Sequence, residues 1–70
     1  YFIANTKPPS RVWIDNRDTG KSTPISPKHA LSLKPGKHTV TFVAKGQMFS
    51  FEFLIERGKT TKMIKRLKVD

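Results

Sequence analysis

Residues 37–56 carry the pattern that most restricts how this chain can fold. Apolar and polar side chains alternate there through two runs separated by Lys45-Gly46, as they do in strands with one buried face. The apolar parity contains His38, Val40, Phe42, Ala44, Phe49, Phe51, Phe53 and Ile55. Two such runs joined by a short polar turn predict an amphipathic antiparallel hairpin.

The register of this hairpin follows from its parity. A slip of one residue would send a whole apolar row to the opposite face, so the loop must contain two or four residues. A two-residue turn at Lys45-Gly46 satisfies this condition. It predicts three facing pairs: Phe42 with Phe49, Val40 with Phe51, and His38 with Phe53.

A second turn signal precedes the hairpin. Pro35-Gly36 suits the two central positions of a type II turn, because proline presets the first backbone angle and glycine supplies the positive second one. We therefore expect Gly36 to have a positive φ. We also expect His38 to be a partly buried packing residue whose ring nitrogen bonds a turn carbonyl.

The remaining chain also has strand character. Strands are predicted at residues 1–5 and 11–15, with an intervening turn at Pro8-Pro9. Residues 16–20 are predicted to form a polar hairpin loop. A short edge pairing is expected at residues 21–25, a brief strand at 30–33, and a last strand at 60–68.

The last strand has an irregular pattern. Met63, Leu67 and Val69 share one parity, whereas Ile64 has the other and Lys65 interrupts the apolar row. A β-bulge near Ile64-Lys65 would reconcile these positions, and so would an edge strand with a partly exposed face. Both alternatives fit the sequence.

These elements predict an all-β fold, a small antiparallel β-sandwich-like domain of about six to seven short strands. A chain of 70 residues is enough for one domain with a thin core. It contains no cysteine, and no apolar run is long enough to cross a membrane. The sequence shows no signal peptide and begins with Tyr1 rather than methionine, so we expect a piece of a larger polypeptide.

No catalytic, cofactor or metal site is expected. Gly20-Lys21-Ser22 evokes a phosphate-binding loop, but position 15 is aspartate where that loop needs glycine, and Pro24 blocks the helix that should follow. His29 and His38 have no cysteine or carboxylate at ligand spacing. The serines show no nucleophile turn, and the carboxylates show no pairing that would tune a pKa.

The turn signals resemble those of the PEGA domain family, small all-β modules of bacterial and archaeal proteins. The resemblance covers nearly the whole chain. It comprises Pro8-Pro9, the strand end Val12-Trp13-Ile14-Asp15, Gly20 followed by Thr23-Pro24, the pattern Leu33-x-Pro35-Gly36-x-His38-x-Val40, Gly46 and Gly58. The chain departs from the family in its loops, where Pro-Glu-Gly-Ala is reduced to Pro8-Pro9-Ser10-Arg11.

This resemblance implies a non-catalytic interaction or spacer module of a larger bacterial envelope or signalling protein. The family occurs in cell-surface proteins and beside bacterial serine/threonine protein kinases, so an accessory domain of such a kinase is a further alternative. The resemblance favours an extracytoplasmic or envelope location. It brings no catalytic residues, and it favours a protein or an envelope polymer as the partner, with no small-molecule substrate.

Trp13 and the positive charge are the candidate contact features. Trp13 should face away from Val12 and Ile14, where it either covers the end of the sheet or contacts a sugar or a protein partner.

The net charge is +9, and Lys62, Arg66 and Lys68 share one side of the predicted last strand. This row predicts a ridge that binds polyanions such as wall polymer, anionic lipid or nucleic acid. Nucleic acid is the less favoured of these, because the phenylalanines are expected inside. Solvation and edge protection are the structural alternative.

Overall fold

The computed structural model describes residues 1–68 and contains six strands in two sheets. The strands are β1 (Phe2–Lys7), β2 (Arg11–Ile14), β3 (Arg17–Ser22), β4 (Gly36–Ala44), β5 (Gln47–Ile55) and β6 (Thr61–Arg66). A single 3₁₀ turn, Pro27–His29, lies between β3 and β4. The predicted small all-β fold is confirmed.

The larger sheet is antiparallel, with strand order β3-β2-β4-β5. Its β4–β5 hairpin has the predicted register: Phe42 faces Phe49, Val40 faces Phe51 and His38 faces Phe53. The turn consists of Lys45 and Gly46, which have φ values of 49° and 76°. Positive φ at both positions matches the twist of the flanking strands and explains why a two-residue loop is possible here.

The smaller sheet pairs β1 with β6 in parallel. The parallel direction was not predicted, and it is possible because these strands are distant in sequence and no tight turn joins them. The other edge of β1 makes isolated bridges to Ile25 and Leu31. The second layer of the fold is therefore β6, β1 and parts of the segment between β3 and β4.

The core lies between the two layers. Phe2, Val12, Val40 and Phe42 are completely buried in it. The ring of Phe2 from the smaller sheet stacks on Phe53 from the larger one, with 4.4 Å between ring centroids. This contact joins the layers near the open end of the hairpin, where Phe53 faces His38.

The prediction of a polar hairpin loop at residues 16–20 is wrong. Asp15 and Asn16 alone form the turn, with φ values of 49° and 66°, and β3 begins at Arg17. The register shifts between Val12 and Trp13. The polar β3 is an edge strand, so it lacks the apolar alternation that would have revealed it.

The brief strand predicted at residues 30–33 is reduced to one bridge. Leu31 pairs with Phe2 through two backbone hydrogen bonds, of 2.8 and 2.9 Å. The preceding residues form the 3₁₀ turn Pro27–His29 instead. Of residues 21–25, Lys21 and Ser22 complete β3, and Ile25 bridges to Ala4.

For the last strand, the edge-strand alternative is correct. The β1–β6 register runs residue for residue without a bulge. Met63 is half-buried and Leu67 is buried, whereas Ile64 keeps 64% of its surface exposed. Lys65 is tolerated on the inward parity because its ammonium lies 4.6 Å from the centroid of the Phe51 ring, a cation–π contact. Val69 lies outside the described residues.

A buried hydroxyl cluster joins β1 to the residue before β2 and the residue after β3. The Thr6 hydroxyl lies 2.7 Å from Thr23 Oγ1 and 2.9 Å from the carbonyl oxygen of Pro8. The amide of Ser10 donates to Thr23 Oγ1 at 2.8 Å. Thr6, Ser10 and Thr23 are all buried, so these hydrogen bonds satisfy polar groups that water cannot reach.

Candidate interaction surface

The outward side of the β1–β6 sheet is a basic surface with an apolar centre. Six residues alternate with the inward row and form what we call the basic face: Ile3, Asn5, Lys7, Lys62, Ile64 and Arg66. They form three facing pairs across the two strands, Ile3–Lys62, Asn5–Ile64 and Lys7–Arg66. All are exposed except Ile3, which is half-buried.

The acidic residues that the structure describes lie on the other sheet and its adjoining turns. The carboxylates of Asp15, Asp18, Glu52 and Glu56 each lie within 4.0 Å of a basic side chain. Their partners are His38, Arg11, Lys37 and Lys59 respectively. Within residues 1–68, no carboxylate is paired with Lys7, Lys62 or Arg66. The positive charge of the basic face is therefore uncompensated by the described part of the chain.

Of the four predicted contact residues, two lie together on the basic face, one lies just beyond β6, and one belongs to the other sheet. Lys62 and Arg66 lie on the basic face, two residues to either side of Ile64. Lys68 is exposed just beyond β6, after Leu67, whose amide donates to the Lys7 carbonyl at 2.8 Å. Trp13 belongs to the other sheet, so it does not share a surface with the lysines and arginine.

Trp13 lies on the outward side of β2, as its parity predicted. Its neighbours Val12 and Ile14 are buried in the core, whereas Trp13 is half-buried. Across the sheet it faces Thr41, whose hydroxyl lies 2.9 Å from that of Ser50. Trp13 thus covers the middle of the larger sheet and still exposes part of its indole.

Lys7 and Ile64 were not predicted from the sequence to be part of a contact surface. Lys7 ends β1, two residues later than the predicted strand, and joins the basic face only through its pairing with Arg66. The alternation of Ile3, Asn5 and Lys7 was the available signal. Ile64 was treated as an irregularity of the core row, although its parity places it between Lys62 and Arg66.

The expectation that no carboxylate takes part in a pKa-tuning pair is wrong. Nδ1 of His38 contacts the Asp15 carboxylate, and Nε2 lies 2.7 Å from the Lys34 carbonyl oxygen. The predicted bond to a turn carbonyl is thus confirmed. The Lys34 carbonyl, followed by Asp15, raises the pKa of His38. The Thr39 amide, followed by His38, lowers the pKa of Asp15.

This His–Asp pair is arranged as a structural link. Both ring nitrogens of His38 are engaged, and the side chain is 14% exposed. Its ring also stacks on Phe53, with 5.7 Å between centroids. A general base needs one free nitrogen directed at a substrate proton, whereas both nitrogens of this ring already contact other groups of the protein.

Neither a cluster of metal ligands nor a membrane-spanning helix occurs in residues 1–68. No group of three or more histidine, aspartate or glutamate side chains suitable for a metal ion occurs there. None of the described helical segments is long and apolar enough to cross a bilayer.

The Gly20-Lys21-Ser22 sequence lies in edge strand β3. The amide of Gly20 donates a hydrogen bond to the Asp18 carboxylate at 2.9 Å. The segment is therefore built as a bulged strand edge, as the turn chemistry of aspartate followed by glycine allows.

Comparisons with family models, with curated proteins and with solved structures found no match for this chain.

Proposed function

We propose that this chain is a non-catalytic interaction module of a larger bacterial envelope or signalling protein, and that it binds polyanionic partners through its basic face. The location and the parent protein rest on the resemblance to PEGA domains. The binding surface rests on one observation, the placement of all described carboxylates on or beside the larger sheet, which leaves three cations of the smaller sheet without an acidic partner in residues 1–68.

This placement of the carboxylates supports binding for an electrostatic reason. Each described acidic side chain has a basic partner on or beside the larger sheet. Lys7, Lys62 and Arg66 project from the smaller sheet without such partners in residues 1–68. A surface of one sign attracts oppositely charged ligands and concentrates them locally.

The binding is expected to have low sequence or structural specificity. The basic side chains are exposed and lie along two neighbouring strands, where next-nearest residues are roughly 6–7 Å apart. Such a row suits repeated negative charges rather than one shaped ligand. Screening by salt should therefore weaken the complex steeply.

A charge-matched comparison tests the proposal. Heparin serves as the model polyanion, and its affinity is measured for the wild type and two triple variants. One replaces Lys62, Arg66 and Lys68 by alanine, and the other replaces Lys21, Lys34 and Lys37 on or beside the larger sheet. Both lose three positive charges, so any difference reports position rather than total charge.

We expect the wild type to bind heparin at low salt and to lose on the order of tenfold or more in affinity when salt is raised about fourfold. The first triple variant should bind at least about tenfold more weakly than the second. Equal affinities of the two variants, or no wild-type binding at low salt, would contradict the proposal. Substrate turnover by the isolated chain would contradict its non-catalytic part.

A further inference from the structure

The centre of the basic face is an aliphatic side chain, which a purely electrostatic surface does not need. Ile64 keeps 64% of its surface exposed, with Lys62 and Arg66 two residues away on either side. Across the sheet it faces Asn5, and Ile3 lies diagonally beside it. An isoleucine at the middle of such a face indicates a ligand that has both negative charge and apolar material.

Ile64 also separates two shallow depressions of the surface. One contains Lys7 and Arg66, and the other contains Lys62 and Ile3. Each depression therefore has at least one cationic side chain on its wall, with the aliphatic side chain standing between them. Long basic side chains can direct their charged ends to headgroups while their methylenes lie on apolar surface.

The other exposed apolar side chains have different surroundings. Leu54 is 56% exposed on β5, where it faces Lys37, a residue paired with Glu52 at 2.9 Å. Met48 is 69% exposed and faces Val43. Ile64 is thus the exposed aliphatic residue whose own strand places an unpaired cation on each side, within the described chain.

We propose that the basic face docks on the surface of a phospholipid bilayer containing anionic lipid, with Ile64 entering the boundary between headgroups and acyl chains. This inference rests on the proposed function and names its partner class. Charge complementarity supplies the attraction, and burial of Ile64 supplies a component that salt does not screen. Polymers with only polar charged groups would use the cations and leave Ile64 in water.

The test uses vesicles of phosphatidylcholine, alone or with about one-third phosphatidylglycerol, and the variant Ile64→Ser. Removal of one aliphatic side chain that becomes partly buried in the bilayer should weaken binding to the anionic vesicles by about 5- to 20-fold. The matched control Leu54→Ser should remain within about twofold of the wild type. Heparin affinity should be the same for all three proteins.

Salt separates the two components of binding. Raising the salt concentration should weaken vesicle binding by the wild type and by Ile64→Ser equally, so that the ratio of their affinities stays constant. A second variant, Ile64→Trp, reports insertion directly, because its added indole fluorescence should shift to shorter wavelength on anionic vesicles. The wild-type emission comes from Trp13 on the other sheet and should not shift.

Three results would overturn the inference while leaving the proposed function intact. They are heparin binding without vesicle binding, equal vesicle affinity of the wild type and Ile64→Ser, and an unshifted emission of vesicle-bound Ile64→Trp. Loss of heparin binding and vesicle binding together in the wild type would instead contradict the proposed function. Circular dichroism of each variant confirms that the comparison is made between folded proteins.

Discussion

The imidazole of His38 is bound to the carboxylate of Asp15, although 23 positions separate the two residues in the chain. Asp15 belongs to the turn between β2 and β3, and its second carboxylate oxygen accepts the Thr39 amide at 2.9 Å. His38 also reaches the Lys34 carbonyl in the loop before β4. One side-chain pair therefore holds the first hairpin turn against the entrance to the second hairpin.

This pair predicts a pH dependence of stability. The pKa of His38 is raised in the folded state, so its contribution is fully present below the unfolded value of about 6.5 and is lost as pH rises through the folded value. The pKa of Asp15 is lowered, so its contribution is present above about 3.9 and is lost as pH falls through the folded value. Urea unfolding across this range measures both effects.

His38→Gln should remove the decline in unfolding free energy that begins as pH rises above about 6.5. Exposed His29 provides the matched control, because His29→Gln removes the same ring from outside this link. A wild-type slope that survives in His38→Gln, or disappears in His29→Gln, would show that another group is responsible.

Gly36 should be far more sensitive to substitution than its neighbour Lys37. Its φ is +128°, and a Cβ there would meet open space, so the cost of Gly36→Val comes from backbone conformation rather than from a clash. We expect a loss of about 1–3 kcal/mol. Lys37→Ala removes only an exposed ion pair with Glu52 and should change stability by less than about 1 kcal/mol. Equal melting temperatures would contradict the conformational assignment.

The buried hydroxyl of Thr23, rather than the volume of its side chain, should be important for stability. Thr23→Val keeps the volume and removes the acceptor of the Ser10 amide, leaving a buried donor without its partner. The expected loss is about 1–3 kcal/mol in unfolding free energy. Thr60→Val makes the same chemical change at an exposed position and should lie within about 0.5 kcal/mol of the wild type. A similar loss in both would mean that the hydrogen bond from the Ser10 amide does not decide the effect.

The stacking of Phe2 on Phe53 should decide whether the two sheets stay together. Phe2 is completely buried, and Phe2→Ala should cost about 3–5 kcal/mol, a large part of the stability of a small domain. Tyr1, the preceding residue, is 59% exposed, so Tyr1→Ala should have little effect. Denaturant unfolding followed by circular dichroism distinguishes them, and a small effect of Phe2→Ala would place the inter-sheet contact elsewhere.

The β4–β5 hairpin was predictable because its information is local. Alternation over residues 37–56 identified the buried face, and the two-residue turn at Lys45-Gly46 then left one register that keeps both apolar rows together. The positive φ of Gly36 was equally local, although its value of 128° differs from the roughly 80° of the type II turn that Pro35-Gly36 predicted, and Gly36 is the first residue of β4. For the same reason the outward parity of Trp13 could be read from its two neighbours.

The surface and the pairings between distant segments could not be read in this way. Polar β3 has no apolar alternation to reveal it, and Lys7 gains its place beside Arg66 only from the parallel β1–β6 pairing. Nothing in the local pattern of Asp15 or His38 states that they meet. Such contacts depend on how separate strands are arranged around the core.

The sequence by itself determined the all-β class, the hairpin register and the inward or outward parity of most strand residues, because side-chain alternation and turn geometry act over a few bonds. Tertiary structure alone decided that β1 and β6 pair in parallel. It also decided that the acidic side chains of residues 1–68 have partners around the larger sheet, and that Ile64 lies among cations that have no acidic partner in that part of the chain. The physical reason is that burial of the shared core at Phe2, Phe42 and Phe53 fixes how the two sheets stack. The stacking then determines on which surface each charged side chain lies.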